Sequence, residues 1–217
     1  DGSYLVTLES GEELHSRTVI LATGAQHALL KVPGEEEFSG RGVSYCATCD
    51  GNFFRGREVV VVGGGDVAVE DAIYLSRICS KVRLLHRRDA LRATRVLQEE
   101  LFAAENIEIC WNTVVKEIRG EGSVNGILAE NLVSGEQTVI PTAAVFVAVG
   151  IHPDTELAEG LAERDAGGYI EAGEDGATRT PGFFVAGDAR RKRLRQIITA
   201  VADGANAATA VSDFIKK

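Results

Sequence analysis

Two thiols separated by two residues, Cys46-Ala47-Thr48-Cys49, stand directly before an acid, Asp50. Cysteines this close can join as a disulfide and open again, and the thiolate is the reactive form. If a helix starts here, its N-terminal dipole favours that thiolate, and Asp50 can pass protons to and from it. Two small packed thiols would use the same spacing. Shortly downstream, Val59-Val60-Val61-Val62 runs into Gly63-Gly64-Gly65-Asp66-Val67-Ala68. The β-branched run reads as a strand buried on both faces of a parallel sheet. The glycines fit G-x-G-x-x-A, the strand-to-helix turn of a dinucleotide site. In that pattern Gly63 makes the tight turn, Gly65 admits the pyrophosphate and Ala68 allows close helix–strand packing. The phosphates rest on the helix N-terminus. Glycine patterns alone are weak, so the context matters: a strand before, and Val69, Ala72, Ile73 and Ile78 at helical spacing after. An electron carrier beside a two-electron acceptor points to a reductase.

The next strand, 81–85, ends in His86-Arg87-Arg88-Asp89, with Arg92 one turn on. An NAD site places an acid about 20 residues past the glycines, for the ribose hydroxyl. Arginines stand there instead, and guanidinium groups suit a phosphate, so the cofactor expected is NADPH. A solvated basic patch is the bland alternative.

The remaining elements must carry these groups. Residues 3–9 alternate as a strand, and 13–22 read as returning strands that stop at Thr23-Gly24-Ala25, either an ordinary strand-to-loop transition or a place where Gly24 lets a ligand approach the backbone. Pro33, Gly34, Gly40 and Gly42 punctuate a crossover within 29–42, and the acidic run 35–37 reads as solvated surface. Residues 91–104 read as a helix. Cys79 and Cys110 read as packed thiols, and Trp111 as core or ligand contact. From 113 to 149 the alternation implies an antiparallel meander returning to a final buried strand, before a second crossover at 150–153. A short apolar strand then delivers Gly187-Asp188, a carboxylate for ligand hydroxyls. The basic stretch 190–195 reads as a solvated loop or docking surface. Helix 194–215 carries Ile197, Val201, Gly204, Ala208, Val211 and Ile215 on one apolar face.

Composition narrows the classes. The 217 residues carry a net charge of −9, against general nucleic-acid binding. No stretch approaches the ~20 apolar residues of a membrane span, and residues 1–30 lack the pattern of a signal peptide. One C-x-x-C without a second pair, or a His pair, argues against a metal site. Met is absent, so Asp1 is not a start without processing, and the chain is expected to be a piece of something longer.

Taken together, Cys46-Ala-Thr-Cys49-Asp50, Gly63-Gly-Gly-Asp-Val-Ala-Val-Glu70, His86-Arg-Arg-Asp-Ala-Leu-Arg92, Val147-Ala-Val-Gly150 and Gly187-Asp188 with Arg195-Gln196 resemble the low-molecular-weight thioredoxin reductases. The resemblance implies an α/β fold of two Rossmann-like domains, the pyridine nucleotide-disulfide oxidoreductase fold. An NADPH domain (29–150) is inserted into an FAD domain (1–28 and 151–217), with the crossovers as hinges. It implies a cytoplasmic, homodimeric flavoprotein in which NADPH reduces FAD, FAD reduces the disulfide, and the dithiol reduces thioredoxin. Carried over by position, Cys46 attacks the thioredoxin disulfide, Cys49 faces the flavin and Asp50 is the acid–base. Gly63, Gly64, Gly65, Asp66, Val67, Ala68, Glu70 and His86 line the NADPH site, with Arg87, Arg88 and Arg92 on the 2′-phosphate. Thr23, Gly24, Ala25, Gly187, Asp188, Arg195 and Gln196 match FAD contacts. The family's opening glycine-rich unit, roughly 80–100 residues, does not precede Asp1. Three rivals stand beside this reading: the flavoprotein partner of an alkyl hydroperoxidase, a ferredoxin-fed reductase, disfavoured by Arg87 and Arg88, and a non-catalytic NADP(H)-binding module, disfavoured by Cys46 and Cys49.

Overall fold

The computed structural model describes residues 3–216. It divides into two compact units, Asp1–Gln26 with Ile151–Lys217, and His27–Gly150. In chain order the strands are β1 (Tyr4–Thr7), β2 (Glu13–Ser16), β3 (Val19–Leu21), β4 (Ala25–His27) and β5 (Val43–Ser44). After the one-turn helix α1 (Ala47–Asp50) come β6 (Glu58–Gly63), α2 (Asp66–Ser76), β7 (Lys81–Leu85), α3 (Arg95–Ala103), β8 (Ile107–Cys110), β9 (Thr113–Glu121), β10 (Ser123–Asn131), β11 (Gln137–Pro141) and β12 (Val145–Ala148). The chain finishes with β13 (Ile151–Pro153), β14 (Phe183–Val185) and α4 (Ile197–Ile215).

The unit His27–Gly150 is built on a parallel sheet ordered β5-β12-β6-β7-β8. Its central strand shows why an unbroken β-branched run is needed. Val59 and Val61 point into one core with Ala68, Val69, Ala72 and Phe146. Val60 and Val62 point into a second core with Val115, Ile118 and Ile127 of the antiparallel meander β9-β10-β11. Both faces are covered, so no polar alternation survives in the sequence. The edge strand β8 escapes the sequence reading, because four residues are too short a run for their alternation to stand out.

Two expectations for this unit need correction. Helix α3 begins at Arg95 rather than near 91. The Arg92 N–H donates to the Gly64 carbonyl and the Thr94 N–H to the Asp66 carboxylate, both at 2.7 Å, which holds this stretch outside the helix. The acidic run 35–37 is not all solvated surface, for Glu35 is buried. Its carboxylate accepts the N–H groups of Leu30 (2.9 Å) and Lys31 (2.7 Å) and the Tyr45 hydroxyl (3.1 Å). These bonds support Lys31 at a φ of 59°, a conformation rarely held by a non-glycine residue. Burial, then Glu35, pushes Tyr45 up to about 12. With Phe38 in the core, the segment 29–42 belongs to this unit, and the chain passes between units at 26–27.

Residues from both ends of the chain form the other unit. β1 and β2 make an antiparallel hairpin, and β3 pairs in parallel with β14, Leu21 beside Val185. Leu21, Ala158, Ala162, Ile170, Phe183, Val185 and Ala189 form its core. Here the expected inner face of α4 is wrong. The helix starts at Ile197, behind a reciprocal cap between Gln196 and Thr199, and it buries Asp203 and Ala207. Ile197 and Val201 of the apolar stripe are 86% and 62% exposed.

Charge explains the difference. The basic stretch read as a solvated loop turns two side chains inward. Asp203 accepts Arg190 Nε at 2.9 Å and Nη2 at 2.8 Å, Lys192 Nζ at 2.9 Å, and the Gly187 N–H at 3.1 Å. Apolar spacing shows that a helix has an apolar face, whereas this ion cluster decides which face turns in.

Candidate functional site

Cys46 and Cys49 are joined as a disulfide, with their Cα atoms 5.3 Å apart. Cys46 is the N-cap of α1. Its sulfur accepts the Cys49 N–H at 3.2 Å and lies 3.4 Å from the Thr48 hydroxyl. Cys49 is the more exposed of the two. Asp50 is held by Ser44, a buried residue that the motif reading missed. The Ser44 hydroxyl donates to the Asp50 carboxylate at 2.7 Å and accepts the Cys46 N–H at 3.1 Å. A further missed residue is Phe53, 82% exposed just past Asp50. The signal was available in both cases: a hydroxyl two residues before the first cysteine, and an aromatic three after the acid.

Ala47, between the thiols, is buried in the same core as Ala68, Val69 and Ala72 of α2. The disulfide is thereby fastened to the helix that the glycine turn begins. At that turn a Cβ on Gly63 would lie 2.4 Å from the Ala148 carbonyl and 2.6 Å from Ala68 Cβ. A Cβ on Gly64 would fall 2.2 Å from the His86 ring. Gly64 is a free position in G-x-G-x-x-A, and only the buried His86 beneath it makes glycine necessary. His86 is set by contact between Nε2 and the Ala90 carbonyl (3.0 Å) and by Trp111 edge-on to its ring (6.3 Å). A Cβ at Gly65 would meet no protein atom within 4 Å, which leaves the start of α2 open to a ligand.

Gly63, Gly64, His86, Arg87 and Arg92 line one cleft of about 380 Å³ with Ala148 and Thr113. It sits at the carboxyl ends of β6, β7 and β12, where ligands of open parallel sheets bind. Gly65, Asp66, Val67, Glu70 and Arg88 are not among its lining residues. Arg87, Arg88 and Arg92 are exposed, and none of the three has an acidic partner among the described residues. Asp66 is occupied with Thr94. Burial pushes both Cys79 and Cys110 above the ordinary thiol value, as inert packed thiols require.

Beside Glu70, Asp71 carries a different consequence. Burial first, and Glu70 second, push it up to about 7. A carboxyl whose folded value is raised stabilises below its unfolded value near 3.9, and that contribution is lost as pH rises through 7. The stability advantage of Asp71→Asn over the parent is therefore expected to grow by about 2–3 kcal/mol between pH 5 and pH 8. Urea unfolding at the two pH values checks this.

In the unit of β3 and β14, the Ala186 N–H donates to the Leu21 carbonyl at 2.9 Å. Thr23-Gly24-Ala25 and Gly187-Asp188 consequently leave the sheet at the same, carboxyl end. The Thr23 hydroxyl donates to the Asp154 carbonyl, and the Asp154 N–H to the Gly24 carbonyl at 3.0 Å. Arg195 stacks 3.8 Å over the Tyr169 ring, and Gln196 caps α4. Asp188 Oδ1 and Arg195 Nε are buried without a hydrogen-bond partner, although Lys192 Nζ stands 3.6 Å from Asp188.

A nucleotide turn and a redox disulfide fastened to one parallel sheet define the class: an α/β dinucleotide-dependent disulfide oxidoreductase. A family model described as pyridine nucleotide-disulphide oxidoreductase matches residues 2–204. The thioredoxin reductase of Listeria monocytogenes is 45% identical over 100% of this chain and 69% of its own length. That of Bacillus subtilis is 46% identical over 99% and 68%. Among solved structures, the thioredoxin reductase of Streptococcus pyogenes has a TM-score of 0.92 at 46% identity, covering 96% of this chain and 69% of that one. The chain belongs to the pyridine nucleotide-disulphide oxidoreductases and, among them, to the thioredoxin reductases.

That family implies FAD and NADPH, and the residues present fit both. Three unpaired arginines and an open glycine turn suit a phosphorylated dinucleotide. The orphaned Asp188 Oδ1, just past the carboxyl end of β14, and the orphaned Arg195 Nε, just before α4, suit a second one. No helix among the described residues is long and apolar enough to cross a membrane.

Proposed function

We propose that this protein moves electrons from NADPH through FAD to the Cys46–Cys49 disulfide and on to thioredoxin. The observation that carries the reading is the shared core of Ala47 and α2, which fixes a redox disulfide to the helix of a nucleotide turn ringed by unpaired arginines. Gly63, Gly64 and the start of α2 would hold the NADPH pyrophosphate, with Arg87, Arg88 and Arg92 on the 2′-phosphate. Thr23, Gly24, Ala25, Gly187, Asp188, Arg195 and Gln196 would hold FAD. When bound, the two groups supply a hydride and a relay for two electrons.

The chain's own residues perform the exchange. The Cys46 thiolate attacks one sulfur of the thioredoxin disulfide, and the other thioredoxin sulfur leaves as a thiolate and takes a proton from solvent. Cys49 gives its proton to Asp50 and attacks Cys46, closing the bridge. The second thioredoxin thiolate leaves and takes a proton from Asp50. Thioredoxin gains two electrons, and the Cys46–Cys49 pair loses them. Ser44 holds the Asp50 carboxylate in place, and the exposed Phe53 offers an apolar contact to a protein substrate.

The reading carries a cytoplasmic homodimer with it. Two free thiols beside a cycling disulfide suit a reducing compartment, and the exposed apolar residues of α4 are available for contacts between copies.

Equilibrium binding of reduced nucleotides tests the nucleotide half. The purified chain should bind NADPH more tightly than NADH. Arg87→Ala with Arg88→Ala should weaken NADPH by about 10–100-fold and leave NADH nearly unchanged. Equal binding of the two nucleotides by the parent chain would overturn the assignment.

A further inference from the structure

The sequence pattern places Asp66 in the nucleotide site, but the structure gives its carboxylate another task. Asp66 Oδ1 accepts the backbone N–H of Thr94 at 2.7 Å. Two residues earlier, the Arg92 N–H donates to the Gly64 carbonyl at 2.7 Å. Between these bonds Ala93 is buried in the core shared by α2 and β6. The loop from β7 to α3 is thus tied to the glycine turn on both sides of Ala93, and Arg92 leaves it at the edge of the cleft. Thr94 is also the N-cap of α3, and its own side chain makes no cap bond. Asp66 is a side-chain acceptor reaching from α2 to fix that entry.

We propose that Asp66 is a positioning residue for nucleotide selectivity, holding Arg92 at the mouth of the cleft through the Thr94 N–H. The inference rests on the NADPH reading above. A negative charge at the start of α2 lies where the pyrophosphate of either nucleotide would sit, and there it opposes binding. Keeping a carboxylate at this position makes sense if its hydrogen bond is worth more than that repulsion. The repulsion is common to NADPH and NADH, whereas Arg92 addresses only the 2′-phosphate. The ratio of the two affinities therefore isolates the positioning role.

The experiment measures dissociation constants of NADPH and NADH for the full chain and for Asp66→Ala, Asp66→Asn, Arg92→Ala and the Asp66→Ala/Arg92→Ala pair. A thermal melt of each variant confirms that it is folded. Asp66→Ala should lower the NADPH-over-NADH preference by about fivefold to tenfold, a loosened charge-assisted contact. Asp66→Asn keeps the acceptor and removes the charge, so it should retain the preference within about twofold while binding both nucleotides at least as well. Adding Arg92→Ala to Asp66→Ala should change the ratio no further than Arg92→Ala alone does. An unchanged preference in Asp66→Ala, or an equal loss in Asp66→Asn, overturns the proposal. A parent chain without preference overturns the NADPH reading itself, a different failure from either of these.

Discussion

A Cys46→Ser chain is expected to lose electron transfer to thioredoxin by about three orders of magnitude or more, because a hydroxyl at this position neither attacks a disulfide nor closes one. Cys49→Ser should fail differently. Cys46 remains able to attack, but nothing resolves the product, so the reduced variant should accumulate a mixed disulfide with thioredoxin through Cys46. The asymmetry follows from the proposed roles, in which Cys46, with the Cys49 N–H and the Thr48 hydroxyl at its Sγ, attacks thioredoxin and Cys49 resolves the product. Peptide mapping of the trapped species reads the bond directly. A mixed disulfide formed equally by the two single variants would show that the two sulfurs are interchangeable. Cys79 and Cys110 should not appear in it, since burial raises both thiols.

The second large effect falls on stability. Asp203→Ala should destabilise the unit that contains α4 by about 3–5 kcal/mol, the range for a buried pair that loses one partner. The substitution leaves the guanidinium of Arg190 buried without its paired carboxylate, leaves Lys192 with Asp188 alone at 3.6 Å, and takes the acceptor from the Gly187 N–H. A double variant, Arg190→Met with Asp203→Ala, should recover most of the loss, because Lys192 then keeps Asp188 at 3.6 Å as its counter-charge. Burial acts to raise Asp203, but hydrogen bonds from Arg190 and Lys192 outweigh it and hold the carboxyl below its ordinary value. A depressed folded value stabilises above the unfolded value and is lost as pH falls through the folded one. The contribution should therefore persist at neutral pH and fade only below about pH 4. Urea unfolding of the three chains near pH 7 and of the parent through the acid range tests both statements.

What could be read from residues alone was what local rules govern. The valine run of β6, the glycine turn, the C-x-x-C and the meander are set by short-range periodicity, and each lies where its pattern placed it. Long-range partners were not legible. Glu35 sits in an acidic run that looks solvated, yet its carboxylate is filled by two backbone donors and a tyrosine from further along the chain. Asp203 sits in a helix whose apolar stripe pointed to another face, and only the basic stretch before the helix turns it inward. Gly64 has no special place in the fingerprint until His86 is brought beneath it. Asp66 was grouped with cofactor contacts by its position in the motif, whereas its bond goes to a residue 28 positions away. Among the candidate residues the thiols, glycines and arginines announce themselves, and Ser44, which holds Asp50, does not.

The most direct measurement of the central claim mixes the chemically reduced chain, freed of reductant, with an equal amount of oxidised thioredoxin and counts the thiols of each by alkylation and mass. The account predicts that two thiols appear on thioredoxin while Cys46 and Cys49 return to a disulfide, with Cys79 and Cys110 remaining thiols throughout. Thioredoxin left oxidised beside a chain whose Cys46 and Cys49 remain as thiols would contradict it.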